Sequence, residues 1–158
     1  MPGIDQITAS LTATYTSTTY LPVATLGDVV VDAGKFYKFV LIVDADIAIN
    51  ECLYPAATNG NSYTNDFTGG SGLGVSVGAI AIGTVDISAA AYAWVQLCVP
   101  GTSGTVRSDG SVAAGESIIG HSVNGEADTM AGGEEDLVLA KALAADSGSP
   151  VTCPVVFI

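Results

Sequence analysis

The sequence predicts an all-β fold in a single domain, and three observations carry that prediction. Apolar residues make up 49% of the 158 residues and charged residues only 13%, where an average domain has about 25% charged. The 19 glycines exceed the usual ~7% and stand between short runs of Val, Ile, Thr, Phe and Tyr, residues that suit a pleated, half-buried surface. Several runs alternate in apolar and polar character with period 2, as a strand with one buried face does. A chain of this length buries about 68–70% of its unfolded surface, enough for a core of its own.

The elements follow in order. From Ile7 to Tyr15 the odd positions are Ile7, Ala9, Leu11, Ala13 and Tyr15, and Thr or Ser fills the even ones. This predicts an edge strand, or an N-terminal arm that pairs with another subunit. Val29–Val31 and Phe36–Val43 are β-branched and aromatic runs, and Asp32-Ala33-Gly34-Lys35 between them reads as a β-hairpin. Asp44–Asp46 ends the second run. Residues 55–72 hold Pro55, Asn59-Gly60-Asn61-Ser62 and Gly69-Gly70-Ser71-Gly72 and read as a long loop. Leu73 to Ile87 alternates again, with Leu73, Val75, Val77, Ala79 and Ala81 on one face and Ser76, Ile80 and Ile82 on the other, and Gly74, Gly78 and Gly83 break the run as bends or bulges do.

The strongest strand signal is Tyr92–Val99. Alternation around Trp94 makes it a core anchor on the face of Tyr92, Gln96 and Cys98. Pro100–Gly104 turns the chain, Thr105–Arg107 is short, Asp109-Gly110 is a tight turn, and Ser117–Gly120 is the next strand. Residues 124–136 read as an acidic surface loop. Leu137–Ala145 has helix-forming composition but sits before a turn, Asp146–Pro150, and a closing strand, Val151–Ile158.

Charge excludes whole classes of function. Four Lys and Arg against 16 Asp and Glu give −12. Nucleic-acid binding needs basic residues to displace counterions from phosphates, so no nucleic-acid partner is expected. Anionic membranes repel such a chain. Its longest uncharged apolar stretch, Ile87–Val106, contains Gln96, Pro100 and Gly101 and is not a membrane span. The start lacks the basic and apolar regions of a signal peptide. Cys52, Cys98 and Cys153 are odd in number and dispersed, so buried reduced thiols are expected.

Catalytic patterns are scarce. The single histidine, His121, lies in Gly120-His121-Ser122, without the nucleophile elbow or orienting acid of a Ser–His enzyme. Zinc sites need clustered Cys and His. Gly72–Gly78 imitates a dinucleotide fingerprint, but its spacing is wrong and it opens onto an alternating strand rather than a helix. Asp44, Asp46, Asn50 and Glu51 offer oxygens without the spacing of an EF-hand loop. No catalytic, cofactor-binding or metal-binding residue is therefore nominated, and the chain is not expected to be an enzyme.

Four segments carry a resemblance. They are Leu26-Gly27 with Asp32–Val40, Val85–Gln96 ending Ala91-Tyr92-Ala93-Trp94-Val95-Gln96, Val112–Ile119, and Val151–Ile158. Over residues 26–158 the chain resembles the small capsid decoration, or cement, proteins of tailed bacteriophages. It departs from them in Asn50–Gly72 and in the Thr-rich start. The resemblance implies a compact β-barrel or β-tulip-like domain at 26–158 preceded by a strand or arm at 1–25, and a strand at Leu137–Ala145. It further implies attachment to the exterior of the virion capsid after synthesis in the host cytoplasm. The partners would be the major capsid protein and further copies of this chain, most simply in a trimer, with no cofactor. The other reading is a β-rich head-fibre or carbohydrate-binding surface module, with Tyr54, Tyr63 and Phe67 as exposed aromatics.

Overall fold

The computed structural model describes residues 11, 13–15, 24–56, 60–66, 77–120, 123–130, 138–148 and 150–158. Among these residues every regular element is a strand: β1 (Thr14–Tyr15), β2 (Val29–Asp32), β3 (Lys35–Ile42), β4 (Cys52–Pro55), β5 (Ser62–Thr64), β6 (Ala79–Ala81), β7 (Tyr92–Leu97), β8 (Ser103–Arg107), β9 (Ser117–Gly120), β10 (Ala127–Thr129), β11 (Ala140–Ala142) and β12 (Thr152–Phe157). The all-β expectation holds.

The β2–β3 hairpin forms where the sequence places it. Asp32 pairs with Lys35, so Ala33 and Gly34 are a two-residue loop. Their φ angles of 48° and 77° make a type I′ turn, whose twist matches that of the strands. At the other end Gly27, with φ 95°, donates its N–H to Phe39 O, and Phe39 N–H donates to Asp28 O. Two residues thus oppose one in a glycine bulge.

Beyond the hairpin, β3 enters a closed ring. It pairs antiparallel with β7 over Tyr37–Leu41 and parallel with β5 at Leu41 and Ile42. Antiparallel pairs β5–β4, β4–β6 and β6–β7 complete the circuit. β2 hangs outside this ring on β3, and β1 lies on β7 with Thr14 opposite Ala93 and Tyr15 opposite Tyr92. A second sheet runs β10-β9-β11-β12-β8, and its two ends meet through a bridge between Ser108 and Ala127.

The two sheets share a wall. Leu53, Ala79 and Ala81 point into the ring and pack with Val40, Ile42, Ile47, Ala93 and Val95. The alternate residues Cys52, Tyr54 and Ile80 point out and pack with Val106, Ile118, Ala140, Val155 and Phe157 of the second sheet. β4 and β6 are therefore buried on both faces, which explains their nearly unbroken apolar runs. The sheets approach closely at Gly104, where a Cβ would lie 2.8 Å from Ile80 Cδ1 and 2.9 Å from Phe157 Cζ. A third cluster covers the ring's outside, where Leu11 packs on Phe39 and Trp94 with Tyr15, Val30, Tyr37 and Tyr92 beside them.

Several expectations change in detail. Inside the expected loop at 55–72 lies β5, whose three side chains are all buried and so leave no alternation to read. The acidic stretch 124–136 contains β10. β8 begins at Ser103, inside the expected turn. Ala140–Ala142 is a strand with Lys141 exposed between two buried alanines, so pairing on both sides overrides its helix propensity. Pro154 is tolerated inside β12 because its carbonyl accepts from Leu143 N, which turns its missing N–H toward the end of β11. Of the predicted N-terminal alternation, Ile7 and Ala9 lie outside the described residues.

Candidate functional site

Among the described residues the most concentrated polar chemistry is a knot between the two sheets. Glu51, 5% exposed, precedes β4. Its Oε1 accepts from Arg107 Nη1 at 2.9 Å, and its Oε2 accepts from Asn65 Nδ2 at 2.7 Å and Ala48 N at 3.1 Å. Arg107 Nε lies 3.3 Å from Glu126 Oε1. Main-chain bonds brace the same place: Arg107 N donates to Asn50 O, Cys52 N to Gly125 O, and Gly125 N to Asn65 O. Glu51, Asn50 and Asn65 come from the ring; Arg107, Gly125 and Glu126 come from the second sheet.

This knot is a joint. With its oxygens committed to Arg107, Asn65 and Ala48, Glu51 has none free for a metal or a substrate proton. A buried charge is tolerated only when paired and hydrogen-bonded in this way. Asp46, another of the sequence's candidate oxygens, accepts from Ile87 N through Oδ1 and from Asn65 Nδ2 through its carbonyl. Asp44 stands at a turn with φ 73° and Asn50 at one with φ 69°. Among the described residues no group of three or more His, Cys, Asp and Glu is arranged to hold a metal ion.

The thiols are free, with Cys52 and Cys153 fully buried. Burial, and secondarily Glu51, pushes the Cys52 thiol up to about 12. Burial also raises Cys98 well above its ordinary value, with a smaller contribution from Cys52, and raises Cys153, with a smaller contribution from Asp146. Thiols held protonated in this way are poor nucleophiles and poor metal ligands.

Two aromatic candidates are corrected. Tyr54 and Tyr63 are core residues, the first in the wall between the sheets and the second at the ring interior, so neither offers a stacking face to a sugar. Burial raises both phenols above the ordinary tyrosine range. Phe67 and His121 lie outside the described residues.

Trp94, 4% exposed, is the buried anchor expected of it. It sits in the ring's outer layer, 5.3 Å from Phe39 between ring centroids, with Tyr15 5.7 Å and Tyr92 6.2 Å from Phe39. Gln96, two residues on, donates from Nε2 to Ser103 O, and Cys98 packs against the inter-sheet core. One strand face thus passes from the outer layer into the wall. Val29 and Val31 are neighbours on one face of β2, 52% and 50% exposed. A Val-Val-Val run reads in sequence as a fully buried strand, so this surface left no signal. The Glu51–Arg107 pair, 56 residues apart, left only the isolation of Arg107 between Lys38 and Lys141.

No family model matches this chain, and no curated protein matches it. Among solved structures it is similar to the N base of head fiber gp8.5 of bacteriophage phi29, with a TM-score of 0.51 and 13% sequence identity. The match covers 77% of this chain and 92% of that one. At this identity the likeness is one of fold: nearly the whole of that base domain has a counterpart here.

Proposed function

We propose that this chain is a structural, non-catalytic protein of a bacteriophage virion that binds the outer surface of the capsid and bridges neighbouring major capsid proteins. The observation that carries the reading is the fold likeness to a phage head-fibre base over 92% of that domain, reached independently of the sequence resemblance to decoration proteins. Composition supports it. Net charge of −12 suits a protein present at high copy number, because charge far from zero opposes precipitation. The low charged fraction suits contact surfaces, whose cores are depleted in charge. The buried carboxylate of Glu51 ties the two sheets together through Arg107, as a rigid building block requires. Self-association, most simply as a trimer, belongs to the same proposal.

The fold likeness also favours a second reading, in which the domain is the base of a head fibre and holds a further element away from the shell. Both readings require attachment to the capsid. Co-sedimentation of the purified protein with expanded heads of the encoding phage that lack it tests them together. Saturable binding at a fixed ratio to the shell protein is the expected result; protein that stays in the supernatant at every concentration refutes both.

A further inference from the structure

Among the described residues the outer edge of β2 is unpaired. In the glycine bulge Phe39 is bonded to Gly27 and Asp28, and the I′ turn closes on Asp32 and Lys35. Antiparallel ladders alternate, so Val30 and Asp32 direct their main-chain groups into β3, while Val29 and Val31 direct their N–H and C=O groups away from it. Among the described residues β3 is the strand paired with β2, and no second strand pairs with its far side. The side chains of Val29 and Val31 are half exposed. Main chain and side chains together present a four-residue template for an added strand.

Charge selects the occupant. Asp28 and Asp32 bracket the three valines, and Asp28 is exposed. If a second copy added its own β2 antiparallel about Val30, Asp28 of each would face Asp32 of the other, and like charges directly opposite are destabilising. The same bracket attracts an extended apolar segment flanked by Lys or Arg.

We propose that β2 receives such a strand, extended, apolar at alternate positions and basic at its ends, from the capsid shell protein. The identity of the donor rests on the function proposed above; the chemistry of the edge does not. Main-chain hydrogen bonds from Val29 and Val31 give affinity, and Asp28 and Asp32 set register and exclude acidic strands.

Three measurements on the full chain test this. In the first, a synthetic peptide of alternating valine and threonine with lysine at both ends is titrated in and followed by NMR. The expected result is shifts concentrated at the amides of Val29 and Val31, with binding at least tenfold weaker for the same peptide ending in glutamate. Equal binding of both peptides, or shifts elsewhere, overturns the proposal, as does dimerisation through β2 without any peptide.

The second is amide hydrogen exchange of the wild-type protein on heads. Val29 and Val31 should gain at least tenfold protection; unchanged exchange in protein that does bind overturns the edge assignment and leaves capsid attachment standing. Third, Val31→Pro removes an outward N–H and spares the β3 ladder. It should keep the melting temperature and lose at least tenfold in head binding, and Val29→Lys, which leaves the main chain intact and repels a basic strand, should lose as much. Full binding by both variants contradicts the proposal. Failure of wild-type protein to bind heads while the lysine peptide binds β2 would instead reject the function and keep the edge.

Discussion

Trp94 shows how one residue ties sequence to structure. It is buried against Phe39 on the outside of the ring under Leu11 and Tyr15, so Trp94→Ala should cost about 3–5 kcal/mol. The melting temperature should then fall by roughly 10 °C; a calorimetric scan that matches wild type refutes this packing. Ala33 makes the opposite case. It holds φ 48°, a left-handed conformation costly for a residue with a Cβ, in a turn that favours Asn followed by Gly. Ala33→Asn should raise stability by about 0.5–1 kcal/mol, measured by urea denaturation.

Cys52 contributes, with Cys98 and Cys153, to an alkaline limit. Its folded thiol titrates at about 12 against an ordinary 9.0, so the folded state holds a proton that the unfolded chain releases. That stabilisation is complete below pH 9 and lost as pH rises from 9 toward 12, with a slope of up to about 1.4 kcal/mol per pH unit. Cys52→Ala should flatten this slope in melts between pH 8 and 11. A slope equal to that of wild type places the alkaline loss elsewhere.

Among elements, legibility in the sequence followed the physics of exposure. The β2–β3 hairpin, β7, β9 and β12 are readable because their turns use Gly or Pro and their runs are aromatic or β-branched. The residues forming β5 and β10 were hidden in stretches of loop composition, because three-residue strands leave too little period to detect. The helix-or-strand ambiguity at Leu137–Ala145 was settled by pairing between β11 and its neighbours β9 and β12, which local propensity does not register. The joint between the sheets was invisible for a related reason: Glu51 and Arg107 meet only after both sheets have formed. Its parts should respond unequally. Glu51→Leu removes the acceptor that Arg107, Asn65 and Ala48 share and should cost about 2–3 kcal/mol. Glu126→Gln removes only a longer, outer contact and should cost under about 1 kcal/mol. Equal losses in chemical denaturation contradict the assignment of Glu51 as the centre of the knot.

At the scale of the whole molecule, two sheets share the doubly buried wall of β4 and β6, and an outer aromatic layer is capped by the chain's own Leu11 and Tyr15. Removing residues 1–20 strips that cap. The shortened protein should melt lower and show a red-shifted Trp94 emission; an unchanged spectrum would mean that the N-terminal strand does not cover the tryptophan. The proposed function builds on this architecture: two sheets fixed by one joint, a net charge of −12 and, among the described residues, an unpaired edge at β2. Electron cryomicroscopy of heads of the phage proposed to carry this protein, with and without the chain, decides the matter. A difference density of the size of this two-sheet domain is expected on the outer surface, astride neighbouring capsid subunits. Identical reconstructions, or density confined to the interior, would contradict the proposed function.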